Sequence, residues 1–178
     1  MERLIGGQES ALDQLLQRYK RPLYTFALRM VQRPSVADDV FQETFLRVYR
    51  KRKTFRKGAR LRPWLFQICL NLCRDYHRKV KRRQEVELCE EAVGRDHRPG
   101  PEERAQKAAE ARRVRAAISQ LPEKHRAVLI LTQYEGLSQQ EAAATLGIPE
   151  GTVRSRKFKA IRTLARLLGE QEKKSQKK

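Results

Sequence analysis

Apolar residues recur along most of this chain at spacings of three, four and seven, the periodicity of helices with one buried face. From Ser10, the positions Leu12, Leu15, Leu16, Tyr19, Leu23, Phe26, Ala27 and Met30 keep that spacing. Pro22 falls among them, so the pattern predicts one helix ending near Lys20 and another beginning at Pro22, or a kink there. Ser35 and Asp38 have capping-box spacing, which predicts a helix over 36–51 with Ala37, Val40, Phe41, Thr44, Phe45 and Val48 inward. A helix over 63–79 is expected next, its buried face near Trp64, Phe66, Ile68 and Leu72. Residues 80–104 contain Pro99, Gly100 and Pro101, mix charges and lose the periodicity, as a flexible linker does. Helical spacing resumes near Glu102 with Ala105, Ala108, Ala109, Val114, Ala117 and Ile118. Pro122 then opens a helix that buries Val128, Leu129 and Leu131 and ends before Gly136.

The stretch 138–168 is the most specific. Ser138 and Glu141 form a capping-box pair, and Gly147 supplies the left-handed residue that closes many helices. A short turn follows, and Pro149 suits the entry of a second helix. On that helix Val153, Ala160, Ile161, Leu164 and Leu168 share one face, leaving Arg154, Ser155, Phe158, Lys159 and Arg162 outward. Two helices joined by a tight turn, the second showing Arg, Ser and Lys, are the arrangement that lays a recognition helix in the DNA major groove. A helical hairpin packed for stability, with a solvated basic face, is the plainer alternative.

Charge sharpens this picture. The 178 residues carry 40 Lys and Arg against 21 Asp and Glu, a net charge of +19 that points to a polyanionic partner. Residues 1–83 hold 21 basic and 7 acidic side chains, 84–120 hold 7 and 8, and 121–168 hold 8 and 4. Two basic regions flank a near-neutral middle, which suggests two DNA-contacting modules. Between Glu43 and Asp75 there is no acidic residue but there are ten basic ones, interleaved with or flanked by Tyr49, Phe55, Trp64, Phe66 and Tyr76. Cations with aromatic rings suit single-stranded DNA, although Trp64 and Phe66 read better as core. Asp38, Asp39, Gln42 and Glu43 stand opposite the inward face of the 36–51 helix. Carboxylates near a helix N-terminus are favoured by the dipole, and the same patch suits a basic protein partner.

Three runs carry a family resemblance. The run LGIPEGTVRSR at 146–156 resembles the helix-turn-helix of the sigma-70 family of bacterial RNA polymerase sigma factors, most nearly its extracytoplasmic-function (ECF) group. DVFQETFLRVYR at 39–50 is similar to that family's motif for the β′ coiled coil of core polymerase, and FRKGARLRPWLFQICLNLCRDYHRK resembles its −10 block. The resemblance implies a polymerase-binding face of Asp39, Gln42, Glu43, Leu46 and Arg47. It implies a pocket for an extruded −10 base lined by Arg56, Lys57, Gly58, Ala59 and Arg60, with Asn71, Arg74, Asp75 and Arg78 on the DNA side of the following helix. Within the helix-turn-helix at 140–159 and just beyond it, Arg154, Ser155, Phe158 and Lys159 would read the −35 element, with Arg156 and Arg162 nearer the phosphates. Lys157 departs from the hydrophobic residue often found after the Arg-Ser-Arg run.

The expected fold class is therefore all-α: two small helical domains, over 1–83 and 104–168, joined by a flexible linker at 84–103, with a basic tail over 169–178. The expected function is that of an alternative sigma factor that binds core RNA polymerase and promoter DNA and assists melting. The resemblance also implies an anti-sigma partner. A helix-turn-helix regulator that is not a polymerase subunit, or a basic protein that coats nucleic acid, would share some of these features. No apolar run approaches the roughly 20 residues of a membrane span, and the N-terminus lacks a signal-peptide core, so a cytoplasmic chain is expected. Cys69, Cys73 and His77 stand four apart, and Cys89 or His97 would have to complete a metal site; core filling is the better account of the cysteines. No nucleotide loop or catalytic pair stands out, so neither enzymatic activity, a small-molecule substrate nor a cofactor is expected.

Overall fold

The computed structural model describes residues 1–6, 8, 10–56, 58–84 and 102–175, with side chains throughout except at Glu2, Arg83, Gln84, 102–108 and 171–175. Among the described residues the chain is helical, with no strand. The helices are α1 (Glu2–Ile5), α2 (Ser10–Val31), α3 (Pro34–Arg50), α4 (Leu61–Gln84), α5 (Glu102–Ser119), α6 (Glu123–Leu129), α7 (Gln139–Leu146) and α8 (Glu150–Ser175).

Pro22 does not end α2, which runs through it as one helix. The proline removes one backbone hydrogen bond, but Leu23, Phe26, Ala27 and Met30 beyond it are all fully buried, and that packing keeps the second half helical. Nor does Ser35 cap α3. Gln32 takes a left-handed φ of 62°, Arg33 is the N-cap without a side-chain bond, and Pro34 begins the helix with its φ already set. The inward residues of α3 are as expected, with Phe41 partly buried and the other five buried.

Helix α4 is the element most altered from expectation. It starts two residues before Pro63 and continues to Gln84, so residues 80–84 are helical and not linker. Leu65, Phe66, Cys69, Leu70 and Cys73 are fully buried and Ile68 and Leu72 nearly so, while Trp64 is only partly covered. A helix buried on more than one side loses its stripe. The cause is that α4 packs against α2 and α3 on one side and α7 on the other.

A single apolar core therefore joins both parts of the chain, from Leu4 and Phe26 through Phe66 and Leu70 to Leu131, Leu146 and Val153. A smaller cluster of Ile118, Leu121, Leu129 and Ala160 holds α5, α6 and α8 together. After Leu129 the chain widens into a π-helical turn over Ile130–Tyr134, in which the Glu135 amide donates to Ile130 at 3.0 Å. At the far end α8 continues past 168 to Ser175, into the stretch expected as a basic tail. No proline interrupts it, and Arg166 pairs with Glu170 one turn on, at 3.2 Å. Because α5 starts at Glu102, Glu102 and Glu103 are helical too; the rest of the expected linker, 85–101, lies outside the described residues.

Candidate nucleic-acid interface

Helices α7 and α8 form the helix-turn-helix as the local chemistry dictates. The Ser138 hydroxyl accepts from the Glu141 amide at 3.1 Å, and the Glu141 carboxylate accepts from the Ser138 amide at 3.0 Å. That second bond leads a set of interactions holding the Glu141 carboxyl below its ordinary value. Gly147 closes α7 at φ 65°, a conformation that strains any residue with a Cβ. Val153 and Ala160 of α8 are fully buried, which fixes the helix rotation. Arg154, Ser155, Phe158, Lys159 and Arg162 are then exposed, Phe158 to 67%, while Arg156 and Lys157 are half-buried. Ile161, expected inside, is 46% exposed, because the face of α8 covered by α6 and α7 is narrower than its apolar stripe.

A second basic surface runs from the loop at 55–60 along α4. Phe55 packs edge-on to Trp64, centroids 5.1 Å apart, and Gly58 turns the loop at φ 82°. Arg56, Gly58, Ala59 and Arg60 are exposed; Lys57 lies outside the described residues. Asn71, Arg74 and Arg78 follow on α4 at helical spacing, and at 1.5 Å per residue the start of α4 at Leu61 and Arg78 are separated by about 26 Å. The structure thus lays these residues along a track and does not gather them into one pocket. Arg78 pairs with Asp75. Tyr76 lies within 3.5 Å of the Arg33 guanidinium.

On α3, Asp39, Gln42 and Leu46 are exposed, Leu46 to 51%, an apolar side chain among acids. Glu43 accepts from Arg47 at 2.9 Å, and Arg47 reaches Asp75 at 3.9 Å. This local partner explains why Glu43 is tolerated two turns into the helix.

Of the metal candidates, Cys69 and Cys73 are buried free thiols, and His77 donates through Nε2 to the Met30 carbonyl at 3.1 Å. The hydrogen bond with Cys69, together with burial, keeps the Cys73 thiol well above its ordinary value. Among the described residues no group of His, Cys, Asp and Glu could hold a metal; Cys89 and His97 lie outside them.

The sigma-70 region 2 profile matches residues 15–83, from α2 through α4, and the sigma-70 region 4 profile matches 111–164, from α5 into α8. This chain belongs to the sigma-70 family of RNA polymerase sigma factors, ECF subgroup. It is 36% identical over 166 residues to the ECF RNA polymerase sigma factor SigM of Mycobacterium tuberculosis, covering 93% of this chain and 81% of SigM. The RNA polymerase sigma factor CarQ of Myxococcus xanthus is 33% identical, with 97% of each chain covered. In fold it is similar to the sigma factor RpoE of Bartonella quintana, solved with the anti-sigma factor NepR, at a TM-score of 0.73, 26% identity and 88% and 96% coverage. It is equally similar to CnrH, solved with the cytosolic domain of CnrY, at a TM-score of 0.73, 29% identity and 94% coverage of each.

As a sigma factor the chain is a DNA-binding transcription initiation protein, yet sequence reasoning missed one part of its site. The two sigma regions touch through polar contacts around α4 and the loop before it. Arg29 of α2 reaches Glu135 at 3.4 Å and stacks over the Tyr134 ring, 4.1 Å from its centroid. Arg62 donates to the Glu135 carbonyl, Arg60 meets Glu141 at 3.5 Å, and Arg74 meets Glu123 at 3.1 Å. Arg126 donates to the Met30 carbonyl near the end of α2, where a cation is favoured. Burial pushes the Glu135 carboxyl up, against the opposing pull of Arg29 and Arg62. None of these pairs follows from local periodicity, since each spans at least 49 residues. The nearest available signal was the scarcity of acids in 121–168.

Proposed function

We propose that this sigma factor docks on the β′ coiled coil of core RNA polymerase through Asp39, Gln42, Glu43, Leu46 and Arg47 and directs initiation at a subset of promoters. The −10 strand is held by Arg56, Lys57, Gly58, Ala59 and Arg60, with Asn71, Arg74 and Arg78 along α4. The −35 duplex is read by Arg154, Ser155, Phe158 and Lys159, with Arg156 and Arg162 on phosphates. Residues 1–83 and 104–168 act as the two promoter-binding domains, and 84–103 sets their spacing. The observation that carries this reading is the pairing of two sigma regions on one chain with an open α8 face that shows arginine, serine and lysine at helical spacing.

The solved RpoE–NepR complex supports a further part of the reading, that an anti-sigma partner holds this chain inactive. The sigma-factor reading puts its action in the cytoplasm; no described helix is long and apolar enough to cross a membrane.

Transcription from a genomic promoter pool with added core polymerase tests the proposal: stimulation at discrete start sites is expected, and none at any promoter overturns it. Glu43→Lys reverses a charge on the docking face and is expected to weaken core binding about tenfold, leaving DNA binding of the free protein unchanged. Equal loss of both would assign the effect to the fold, with Glu43→Gln as the milder comparison.

A further inference from the structure

Helix α6 carries Lys124 and His125 to the edge of the outward face of α8. His125 stands one turn before Leu129 on α6, and Arg156 one turn before Ala160 on α8. Leu129 and Ala160 are buried in the same small cluster, so the packing of these two helices sets His125 close to Arg156 and Lys159. Lys124 and Lys159 are exposed, and His125 and Arg156 are half-buried.

The charges that act on His125 are all positive: Lys124 of its own helix, then Lys159 and Arg156 of α8. Burial first, and then these three, hold its imidazole below the ordinary value of 6.5. The nearby carboxylates are engaged elsewhere. Glu123 meets Arg74 at 3.1 Å, and Glu135, after the π-helical turn, meets Arg29 of α2 at 3.4 Å. Glu150 lies at the start of α8, six residues before Arg156. Three cations around one imidazole repel each other, and an anion among them relieves that repulsion.

The anion that fits is a DNA phosphate, because Lys159 belongs to the α8 face as well as to this cluster, and ammonium and imidazolium both donate to phosphate oxygens. We propose that Lys124 and His125 grip a backbone phosphate at the edge of the duplex read by α8, and that His125 takes up a proton from solvent as it does so. This rests on the reading of α8 as the −35 face. In the free protein the cationic neighbours favour the neutral imidazole; in the complex the phosphate favours the imidazolium. Affinity is therefore level at high pH, and rises as pH falls from the bound value of His125 to its lowered free value.

The probe is a labelled duplex selected from genomic fragments for binding to the free full-length protein. Its affinity is measured by anisotropy at about pH 8 and about pH 5.5, either side of the ordinary histidine value, over a range of salt. Circular dichroism first shows each variant folded at both. The native chain is expected to bind about fivefold tighter at the lower pH, with a salt slope steeper by about one phosphate contact. H125Q is expected to lose both changes, and H125K to keep the steeper slope at either pH. K124Q should lower the slope by about one contact throughout. A pH response in H125Q equal to that of the native chain overturns the inference by assigning the proton to another group. R154A tests the underlying reading separately. Undiminished affinity of R154A at the higher pH overturns the reading of α8 and the inference with it, whereas a loss there beside an unresponsive His125 overturns the inference alone.

Discussion

Helix α8 and helix α4 both carry arginines suited to DNA, and they meet different surroundings. Arg154, Lys159 and Arg162 are exposed, and the contact made by Arg154 is a long one, 3.5 Å to the neutral amide of Gln139. Arg60 and Arg74 instead lie against carboxylates from the other end of the chain. The two surfaces have the same chemistry and differ in pairing: Arg60 and Arg74 face carboxylates, and Arg154 faces a neutral amide. Net charge therefore identifies a polyanion-binding protein without saying which of its basic faces is free. What separates them is α4, which is covered on both sides and so serves both as core and as the border between sigma regions.

The contrast breaks most completely if α4 is loosened. Phe66 is fully buried, with its ring edge-on to Phe26 at 5.2 Å between centroids. Phe66→Ala should cost about 3–5 kcal/mol, and because one core spans both regions, the loss should reach α7 and α8. Amide exchange during urea unfolding checks this. Unchanged protection of α7 and α8 would mean that the regions pack without sharing stability, and the covered face of α4 would then be no lasting feature.

A smaller effect sharpens the contrast. Arg154→Ala should weaken binding of the free protein to a promoter duplex by about 1–3 kcal/mol, the range for one base-reading arginine. Arg60→Ala should leave that binding nearly unchanged and lower transcription only when polymerase is present. Anisotropy on a promoter recovered from the transcription assay measures the first, and run-off product the second. Equal losses in the free protein would show Arg60 to be as available as Arg154.

How much of this was readable beforehand follows from range. The capping box, the left-handed Gly147 and the buried Val153 and Ala160 depend on neighbours within a turn or two, and the residues alone place them. Of the two outcomes expected at Pro22, the helix break does not occur, because the tertiary packing of Leu23, Phe26 and Met30 outweighs the local penalty. On α4 a single inward face was assumed, so Leu65 and Leu70 were missed; a second covering element leaves no trace in periodicity. The ion pairs between the regions lie furthest from view. Glu135 follows a π-helical turn that neither apolar spacing nor turn residues announce, and its partner Arg29 is 106 residues away.

The smallest expected effect uses pH to tell apart two of the acids that pair across the regions. Glu141 has its carboxyl held down, mainly by the Ser138 amide, so its contribution to stability is present above the unfolded value near 4.3 and is lost as pH falls through the lower folded value. Glu135 is pushed up by burial, so its ionised form costs stability, and that cost is relieved as pH falls through its raised value. Glu141→Gln keeps an acceptor for the Ser138 amide but does not titrate, so its deficit against the native chain should shrink in acid as Glu141 of the native chain protonates. Relative to Glu135→Gln, whose side chain does not titrate, the native chain should gain stability over the higher part of the same acid range. Urea midpoints taken from pH 7 downward, about half a unit apart, give both curves. Two differences of the same sign would show that Arg29 and Arg62 outweigh burial at Glu135, making it a second stabilising carboxylate like Glu141.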